Sequence, residues 1–292
     1  MTASASFVLP VDKPVGPTSH DVVAGARRAL GIKRIGHTGT LDPFASGLML
    51  LCVGDATRIA EYLTDLPKSY HAIARLDGRT LTDDNTSEVF DTTEQWRGLS
   101  TEQIGAALQD QVGDILQMPP QYSAKKIAGE RAYDIARRGD VATLAAVPVH
   151  IDRITLRGVR LPEIEFEVTC GSGTYIRAIA RDLGAALGTG GYLTQLRRTQ
   201  VGIFSAAAAV PLAELQDREQ VERAALRPAD AVSHIPALEL SEEQERSIRF
   251  GQAIQTDNTM HGTIRLTRND RLVAIAEIDA GRIRPRKVMA DA

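Results

Sequence analysis

The sequence is poor in cysteine and has no long apolar run. Its two cysteines, Cys52 and Cys170, are too few for a disulfide framework or a zinc ribbon, which favours a reducing, cytoplasmic location. No stretch approaches the ~20 consecutive apolar residues of a membrane-spanning helix. The N-terminus has no basic start followed by a long apolar stretch. We therefore predict neither a membrane partner nor a secretory signal.

The short motifs of common cofactor and metal enzymes are also absent. The chain has no G-x-G-x-x-G after a predicted strand, no G-x-x-x-x-G-K-[ST], no H-E-x-x-H and no C-x-x-C. Its six histidines are scattered without the spacing of metal ligands. Enzymes that depend on a nucleotide cofactor or a metal are therefore disfavoured, and we expect no cofactor and no metal.

The charge of the chain is small in sum but uneven along the sequence. The 292 residues are 43% hydrophobic and 24% charged, with a formal net charge of −3, as in a globular protein with a sizeable core. Residues 77–114 contain nine acids and two arginines, whereas residues 125–138 contain five bases and two acids. Residues 281–290 carry four bases and no acid. A polyanion responds to the local face, so the net charge excludes a general polyanion binder but not a selective nucleic-acid partner. Solvated surface charge is the alternative.

Hydrophobic periodicity gives a coarse map of the elements. The spacing predicts helices over residues 20–30, 101–113 and 175–187, and strands over residues 48–53, 70–76 and 164–170. Ser19 is placed to cap the first helix and Gly31 to end it. Strands and helices do not alternate strictly, so an α+β fold is favoured over a doubly wound parallel sheet.

The pattern of predicted elements changes after about residue 235. Ser241 precedes Gln244 by three positions, which is the pattern of a helix-starting capping box, and Gly251 ends that segment. Short alternating strands are predicted at 262–268, 271–279 and 283–289, the first two joined at Asn269–Asp270. We predict a small β-rich C-terminal module on a mixed α/β body.

Three side chains are candidates for chemistry. Asp42 lies in the loop Gly36–Pro43 (GHTGTLDP), where the alternative is a structural turn in which its carboxylate bonds nearby backbone N–H groups. Tyr70 begins a strand. Arg177 lies in the first turn of a predicted helix, where a cation is unfavourable towards the helix dipole, so it needs an acidic partner or an anionic ligand. A surface salt bridge is the alternative for Arg177.

Several ordered motifs carry a resemblance to a known family. The run G-H-T-G-T-L-D-P-x-A-S-G at 36–47 resembles the signature of the TruB family of tRNA pseudouridine synthases, and D-K-P-x-G-x-T-S at 12–19 resembles its N-terminal motif. Further matches follow in order at Tyr70 to Leu76, Arg79 to Asp84, Tyr122 to Lys126 and Gly173 to Arg177. The match spans about residues 8–200, and the C-terminal part resembles the PUA RNA-binding module of the family.

The resemblance implies a fold and a domain plan. The fold would be α+β, with a mixed, mainly antiparallel sheet in a catalytic domain of pseudouridine-synthase type over residues 1–235. An RNA-gripping segment would be inserted at about 118–146. A small β-rich PUA-like domain would occupy residues 236–292.

The resemblance also assigns catalytic roles. Asp42 would be the catalytic carboxylate beneath the ribose, where it stabilises or traps an oxocarbenium-like centre; attack on the ribose and assistance of elimination both remain open. Arg177 would pair with Asp42 and fix its orientation. Tyr70 would lie against the base, and its phenol is a candidate for removing the proton from the carbon that becomes bonded. None of these steps needs a cofactor.

The implied substrate is the T-arm stem-loop of tRNA, modified at uridine 55. The uridine must be flipped out of its stack, and His37 would fill the space that it leaves. Further candidate RNA contacts are Lys13, Asp84, Tyr175, Lys125, Lys126, Arg137 and Arg138. We expect a monomer without an obligatory protein partner. The alternatives are a family member that acts on other RNA within a ribonucleoprotein, and a non-catalytic tRNA-binding protein or chaperone.

Overall fold

A computed structural model of the chain describes residues 6–123, 126–127, 130–131, 135, 138, 140 and 143–290. The described residues fall into two compact units. The first unit takes them from Met1–Leu41, Leu48–Asp65 and Phe204–Ala292, and the second from Asp42–Gly47 and Leu66–Ile203.

Helices and strands are numbered along the chain. The helices are α1 (Ser19–Leu30), α2 (Ala60–Thr64), α3 (Thr101–Gln109), α4 (Ile176–Leu187), α5 (Arg218–Ala224), α6 (Pro228–Ala231) and α7 (Glu242–Arg249). The strands are β1 (Phe7–Lys13), β2 (Ile35–His37), β3 (Ser46–Val53), β4 (Lys68–Arg75), β5 (Arg79–Thr80), β6 (Val89–Phe90), β7 (Gly113–Gln117), β8 (Lys126–Ile127), β9 (Glu130–Arg131), β10 (Val147–Arg160), β11 (Glu163–Cys170), β12 (Tyr192–Val201), β13 (Phe204–Ser205), β14 (Val210–Pro211), β15 (Ala237–Glu239), β16 (Ile254–Gln255), β17 (Gly262–Arg268), β18 (Arg271–Asp279) and β19 (Arg282–Val288).

The second unit is built on the strand order β12-β4-β11-β10-β7, in which every neighbouring pair is antiparallel. The first two residues of β3, Ser46 and Gly47, pair in parallel with Arg197 and Arg198 of β12. Helix α3 packs on β10 and on α4. Alternation along β11 buries Phe166 and its neighbours on one face, because successive side chains of a strand point to opposite faces.

In the first unit, β1 pairs in parallel with β14, and β2 pairs antiparallel with β3. Helix α1 begins at a capping box formed by Thr18 and Asp21, and it ends at Gly31, which takes a left-handed φ of 70°. The prediction that Ser19 caps α1 is wrong. The Ser19 hydroxyl instead accepts from the Leu41 amide at 2.8 Å and donates to the Leu41 carbonyl at 3.0 Å. It therefore anchors the chain directly before Asp42.

The C-terminal part of the first unit contains a five-stranded sheet of order β15-β17-β18-β19-β16. Ser241 caps α7 in a capping box with Gln244, as predicted. The turn between β17 and β18 is confirmed at Asn269 and Asp270, whose φ angles of 50° and 60° suit a tight hairpin. The core of this sheet is apolar and includes Leu240, Ile248, Ile264, Leu266, Val273, Ala274, Ala276, Ile278 and Ile283.

The α+β class is confirmed, and so are most of the predicted elements. The helix predicted over 101–113 is shorter, because it ends at Gln109 and Gly113 begins β7. Strands β1, β10 and β12 were not predicted from the sequence. Residues 118–146, where the insert is predicted, follow β7 in the sequence and run up to β10, and these two strands pair with each other. Within the described part of the chain, no helix is both long and apolar enough to cross a membrane.

Candidate active site

Asp42 is the first residue of Asp42–Gly47, a short segment that belongs to the second unit. The chain turns just after it, and the Ala45 amide donates to the Asp42 carbonyl at 3.1 Å. The carboxylate is partly open to solvent, with 36% of the side chain exposed, and its Oδ2 lies 3.0 Å from Nε of Arg177. One oxygen of an accessible carboxylate is thus held by a guanidinium.

Arg177 is buried, with 4% of its surface exposed. Besides Asp42, its Nη1 lies 3.6 Å from Oδ2 of Asp84 and donates to the Thr82 carbonyl at 2.6 Å. Its Nη2 donates to the Tyr122 carbonyl at 2.9 Å. The prediction that Arg177 has an acidic partner is confirmed, whereas the alternative of a surface salt bridge is wrong. Two carboxylates and two carbonyls surround the buried cation, as desolvation requires.

The start of α4 determines where Arg177 lies. Tyr175 occupies the N-cap position without a side-chain cap of its own. Gln117, 1% exposed, fixes the backbone of this N-cap residue: its Oε1 accepts from the Tyr175 amide at 2.8 Å and its Nε2 donates to the Tyr175 carbonyl at 3.1 Å. The end of β7 therefore holds the first turn of α4, and with it the guanidinium that meets Asp42.

Two consecutive aspartates face two arginines one helical turn apart. Asp84 pairs with Arg177, and its Oδ1 also accepts from the Thr82 hydroxyl at 2.6 Å. Asp83 pairs with Arg181 at 3.2 Å, and it takes a left-handed φ of 58°. Burial raises the pKa of Asp83, and the charge of Arg181 opposes that rise. The loop before Asn85 is thereby attached to α4 at two points.

Tyr70 on β4 lies close enough to Asp42 for the charge of that carboxylate to act on its phenol. It is 7% exposed, and burial raises the pKa of its phenol. The charge and hydrogen bond of Arg198 lower that pKa, while the Cys170 thiol and the Asp42 carboxylate raise it. The structure therefore brings Asp42, Arg177 and Tyr70 into one site.

The other residues that were predicted to contact RNA differ in burial. Lys13 is fully buried, and its ammonium donates to the Pro14 carbonyl at 3.0 Å. Asp84 is also buried, at 4% exposed, whereas Tyr175 is half-buried. The burial of Lys13 and Asp84 favours roles within the protein over direct contact with RNA.

His37 ends β2, and its Nδ1 accepts from the Gly39 amide at 3.3 Å. Arg138 is exposed, 4.0 Å from Asp140. Lys126 begins the short strand β8, which pairs with β9. Lys125 and Arg137 lie outside the described residues.

Gln117, Arg181 and Arg198 belong to the site but were not predicted as site residues from the sequence. Arg181 follows Arg177 by four positions, so helical spacing places both on one face. Arg198 follows Arg197 on a strand, so one member of the pair faces each side of the sheet. Gln117 has no local signal, because its partner lies 58 residues away. Among the described residues, no group of three or more His, Cys, Asp or Glu is placed to hold a metal ion.

Comparison with known proteins assigns the chain to a family. Three family models match in succession: "TruB family pseudouridylate synthase (N terminal domain)" over residues 27–176, "tRNA pseudouridylate synthase B C-terminal domain" over 177–233, and "Pseudouridine synthase II TruB, C-terminal" over 236–289. The chain is a pseudouridine synthase and belongs to the TruB family.

Individual relatives agree with this assignment. A "tRNA pseudouridine synthase B" of Burkholderia pseudomallei (strain 668) is 40% identical over 97% of this chain and 96% of its own. One of the same name from Mycobacterium sp. (strain KMS) is 43% identical over 84% and 82%. One chain of a solved H/ACA RNP bound to a substrate RNA containing 2'-deoxyuridine has the same fold. Its TM-score is 0.75 at 22% identity, over 98% of this chain and 85% of that one.

Proposed function

We propose that the protein isomerises uridine 55 in the T-arm loop of tRNA to pseudouridine, with Asp42 as the catalytic carboxylate. The ion pair between Asp42 and Arg177 carries this proposal. Arg177 is buried, so its position is defined by the fold, while the Asp42 carboxylate keeps 36% of its surface open to a substrate. A held and accessible carboxylate is what bond cleavage at a ribose needs.

Asp42 serves either route of the reaction. In one, the carboxylate adds to the ribose as the N-glycosidic bond breaks; in the other, it assists elimination there. Both need an oriented carboxylate at the sugar, and the ion pair with Arg177 fixes the orientation of Asp42. The base is then rejoined to the ribose through carbon, and the Tyr70 oxygen, in its phenolate form, takes the proton from that carbon.

Base flipping and RNA contact complete the proposal. His37 fills the space left by the flipped uridine, and its imidazole stacks on the neighbouring bases. The basic insert at about 118–146, with Lys125, Lys126, Arg137 and Arg138, contacts phosphates. Residues 236–292 act as a PUA-like RNA-binding module beside a catalytic domain of residues 1–235. The enzyme acts as a monomer without an obligatory protein partner.

The decisive experiment incubates the protein alone with unmodified tRNA and maps pseudouridine in the product. Pseudouridine at position 55 is the expected result. If the protein alone leaves tRNA unmodified, and other RNA is modified once partner proteins are added, a ribonucleoprotein role would be favoured. Tight binding of tRNA without any modification would instead indicate a chaperone.

Asp42→Asn tests the carboxylate itself. We expect product formation to be abolished while the affinity for tRNA persists, because the amide keeps the shape and loses the charge. Normal turnover by this variant would overturn the assignment of Asp42. Asp110→Asn is the matched control, since Asp110 is exposed at the end of α3, and it should leave turnover unchanged.

A further inference from the structure

A transverse row of residues crosses four strands of the second unit. Tyr70 on β4 lies directly opposite Val168 on β11 and, on its other side, directly opposite Arg198 on β12. Arg198 in turn lies opposite Gly47 on β3. Directly opposite residues on paired strands place their side chains on the same face, so Tyr70 and Arg198 are neighbours.

Arg198 is a buried cation at the Tyr70 phenol. Its surface is 2% exposed, and its side chain forms a hydrogen bond with the phenol. A guanidinium is costly to bury unless anions or acceptors surround it. Cys170 and Asp42 are the other titratable groups that act on the phenol, and both disfavour its ionised form. Arg198 opposes them with a positive charge.

Gly47 allows β12 to approach the segment Asp42–Gly47 closely. A Cβ at this position would lie 2.2 Å from the Arg198 carbonyl oxygen and 2.7 Å from the Arg198 amide nitrogen. Gly47 also takes a φ of 105°, which side chains rarely adopt. The same short segment, Asp42–Gly47, therefore begins with the candidate catalytic carboxylate and ends against the backbone of Arg198.

We propose that Arg198 is a positioning residue for Tyr70: its guanidinium holds the phenol oxygen and stabilises the phenolate that accepts a proton. This inference rests on the proposed function, in which Tyr70 takes the C5 proton. The phenolate oxygen forms the new O–H bond, and the electron pair of the broken C5–H bond re-forms the C5–C6 double bond. N1 of the base takes up one proton and Tyr70 then releases the proton that it accepted, so the isomerisation is neutral in protons and needs no oxidant.

The first test titrates Tyr70 without RNA. The ultraviolet signal of phenol ionisation is measured for the protein and for Tyr70→Phe, and the difference reports Tyr70 alone. The same pair is then measured in Arg198→Gln and Arg198→Met backgrounds. We expect the pKa of Tyr70 to rise by about one unit or more in both, because a positive charge beside the phenolate is lost. If the Met variant does not fold, the Gln variant, which keeps hydrogen-bond donors, carries the test. An unchanged pKa of Tyr70 overturns the proposal.

The second test follows single-turnover pseudouridine formation on a bound T-arm stem-loop between about pH 6 and about pH 10. We expect the Arg198→Gln profile to move to higher pH, with a rate near neutrality about tenfold lower per unit of displacement and an unchanged RNA affinity. Arg198→Lys should restore part of the rate, since it restores the charge. A loss of equal size at every pH would show a merely structural role and overturn the proposal.

Arg197→Gln is the matched control, on the same strand but opposite His71, with its side chain on the other face of the sheet. Its pH profile should keep the shape of the parent. If neither parent nor variants form pseudouridine, the proposed function fails, while the phenol titration still decides the role of Arg198.

Discussion

Polar side chains are buried at the candidate active site, whereas the core of the C-terminal sheet is apolar. In the second unit, Arg177, Asp84 and Gln117 are at most 4% exposed and bond one another or the backbone. In the C-terminal sheet, residues such as Leu266 and Ile278 are fully buried and have no polar atoms in their side chains.

The two kinds of core are held by different physics. An apolar core is stabilised by the area that it removes from water, and it tolerates exchanges that conserve volume. A buried polar network depends on direction, because each donor or acceptor that loses its partner costs the desolvation of that group. The polar core can therefore hold a carboxylate at a defined angle, and the apolar core supplies stability without that precision. Breaking each core separately should show this difference.

Arg177→Met should have the largest effect, because it breaks the polar core at its centre. The variant leaves the nearly buried Asp84 carboxylate without its guanidinium, which costs about 3–5 kcal/mol of unfolding free energy. Loss of the contact to Asp42 should lower the single-turnover rate by at least about a hundredfold. Denaturant unfolding and pseudouridine formation are the measurements.

The matched control for Arg177 is Arg157→Met in the same unit. Arg157 pairs with Glu167 at 2.6 Å, but the two side chains are 52% and 47% exposed. A solvent-exposed pair contributes less than about 1 kcal/mol, so this variant should be nearly neutral in both measurements. Equal losses for the two variants would contradict the importance of burial.

Ile248→Ala breaks the apolar core instead. Ile248 is fully buried on α7 against the C-terminal sheet, and its truncation should cost about 2–5 kcal/mol. With saturating RNA, the single-turnover rate should stay within about twofold of the parent, since no group at Asp42 changes. Phe250→Ala is the control for thermal unfolding, because Phe250 is 77% exposed. A rate that falls in step with stability would remove the distinction between the two cores.

The apolar core was also the more predictable of the two from sequence. The hairpin at Asn269–Asp270 and the capping box at Ser241 depend on residues that lie within a few positions of each other, so local patterns identify them. Alternation likewise located β17 and β18 of the same sheet. The cap of α1 was misassigned because Thr18 and Ser19 are adjacent and chemically equivalent, and only the backbone angles distinguish them.

The polar core could be predicted only in part. The expected acidic partner of Arg177 follows from the unfavourable position of a cation at a helix start. Gln117 and Arg198 follow from no local rule, because the partner of Gln117 is 58 residues away and Arg198 meets Tyr70 across a strand pair. Such contacts exist only once the register of the sheet is set. The residues that orient Asp42 and Tyr70 are therefore the ones that local sequence patterns identify least.

The smallest expected effect concerns an exposed polar pair in the second unit, which separates the role of burial from that of location. His150 on β10 lies opposite Asp114 on β7, and its Nδ1 is 2.7 Å from the carboxylate. The hydrogen bond and charge of Asp114 raise the pKa of His150 above its ordinary value of 6.5. The folded state therefore binds the proton more tightly than the unfolded state. Its contribution to stability is fully present below about pH 6.5 and is lost as the pH rises through the folded pKa.

The melting temperature of the parent should accordingly fall, relative to that of His150→Gln, as the pH increases across that window. Asp114→Asn should remove most of the same pH dependence, because only Asp152, 3.6 Å from the imidazole, then raises the pKa of His150. Both partners are more than half exposed, so the displacement should be much smaller than that of Arg177→Met. Parallel pH profiles for the parent and both variants would show that the pair does not stabilise the edge of the sheet. A displacement as large as that of Arg177→Met would mean that location, and not burial, sets the cost of a lost polar contact.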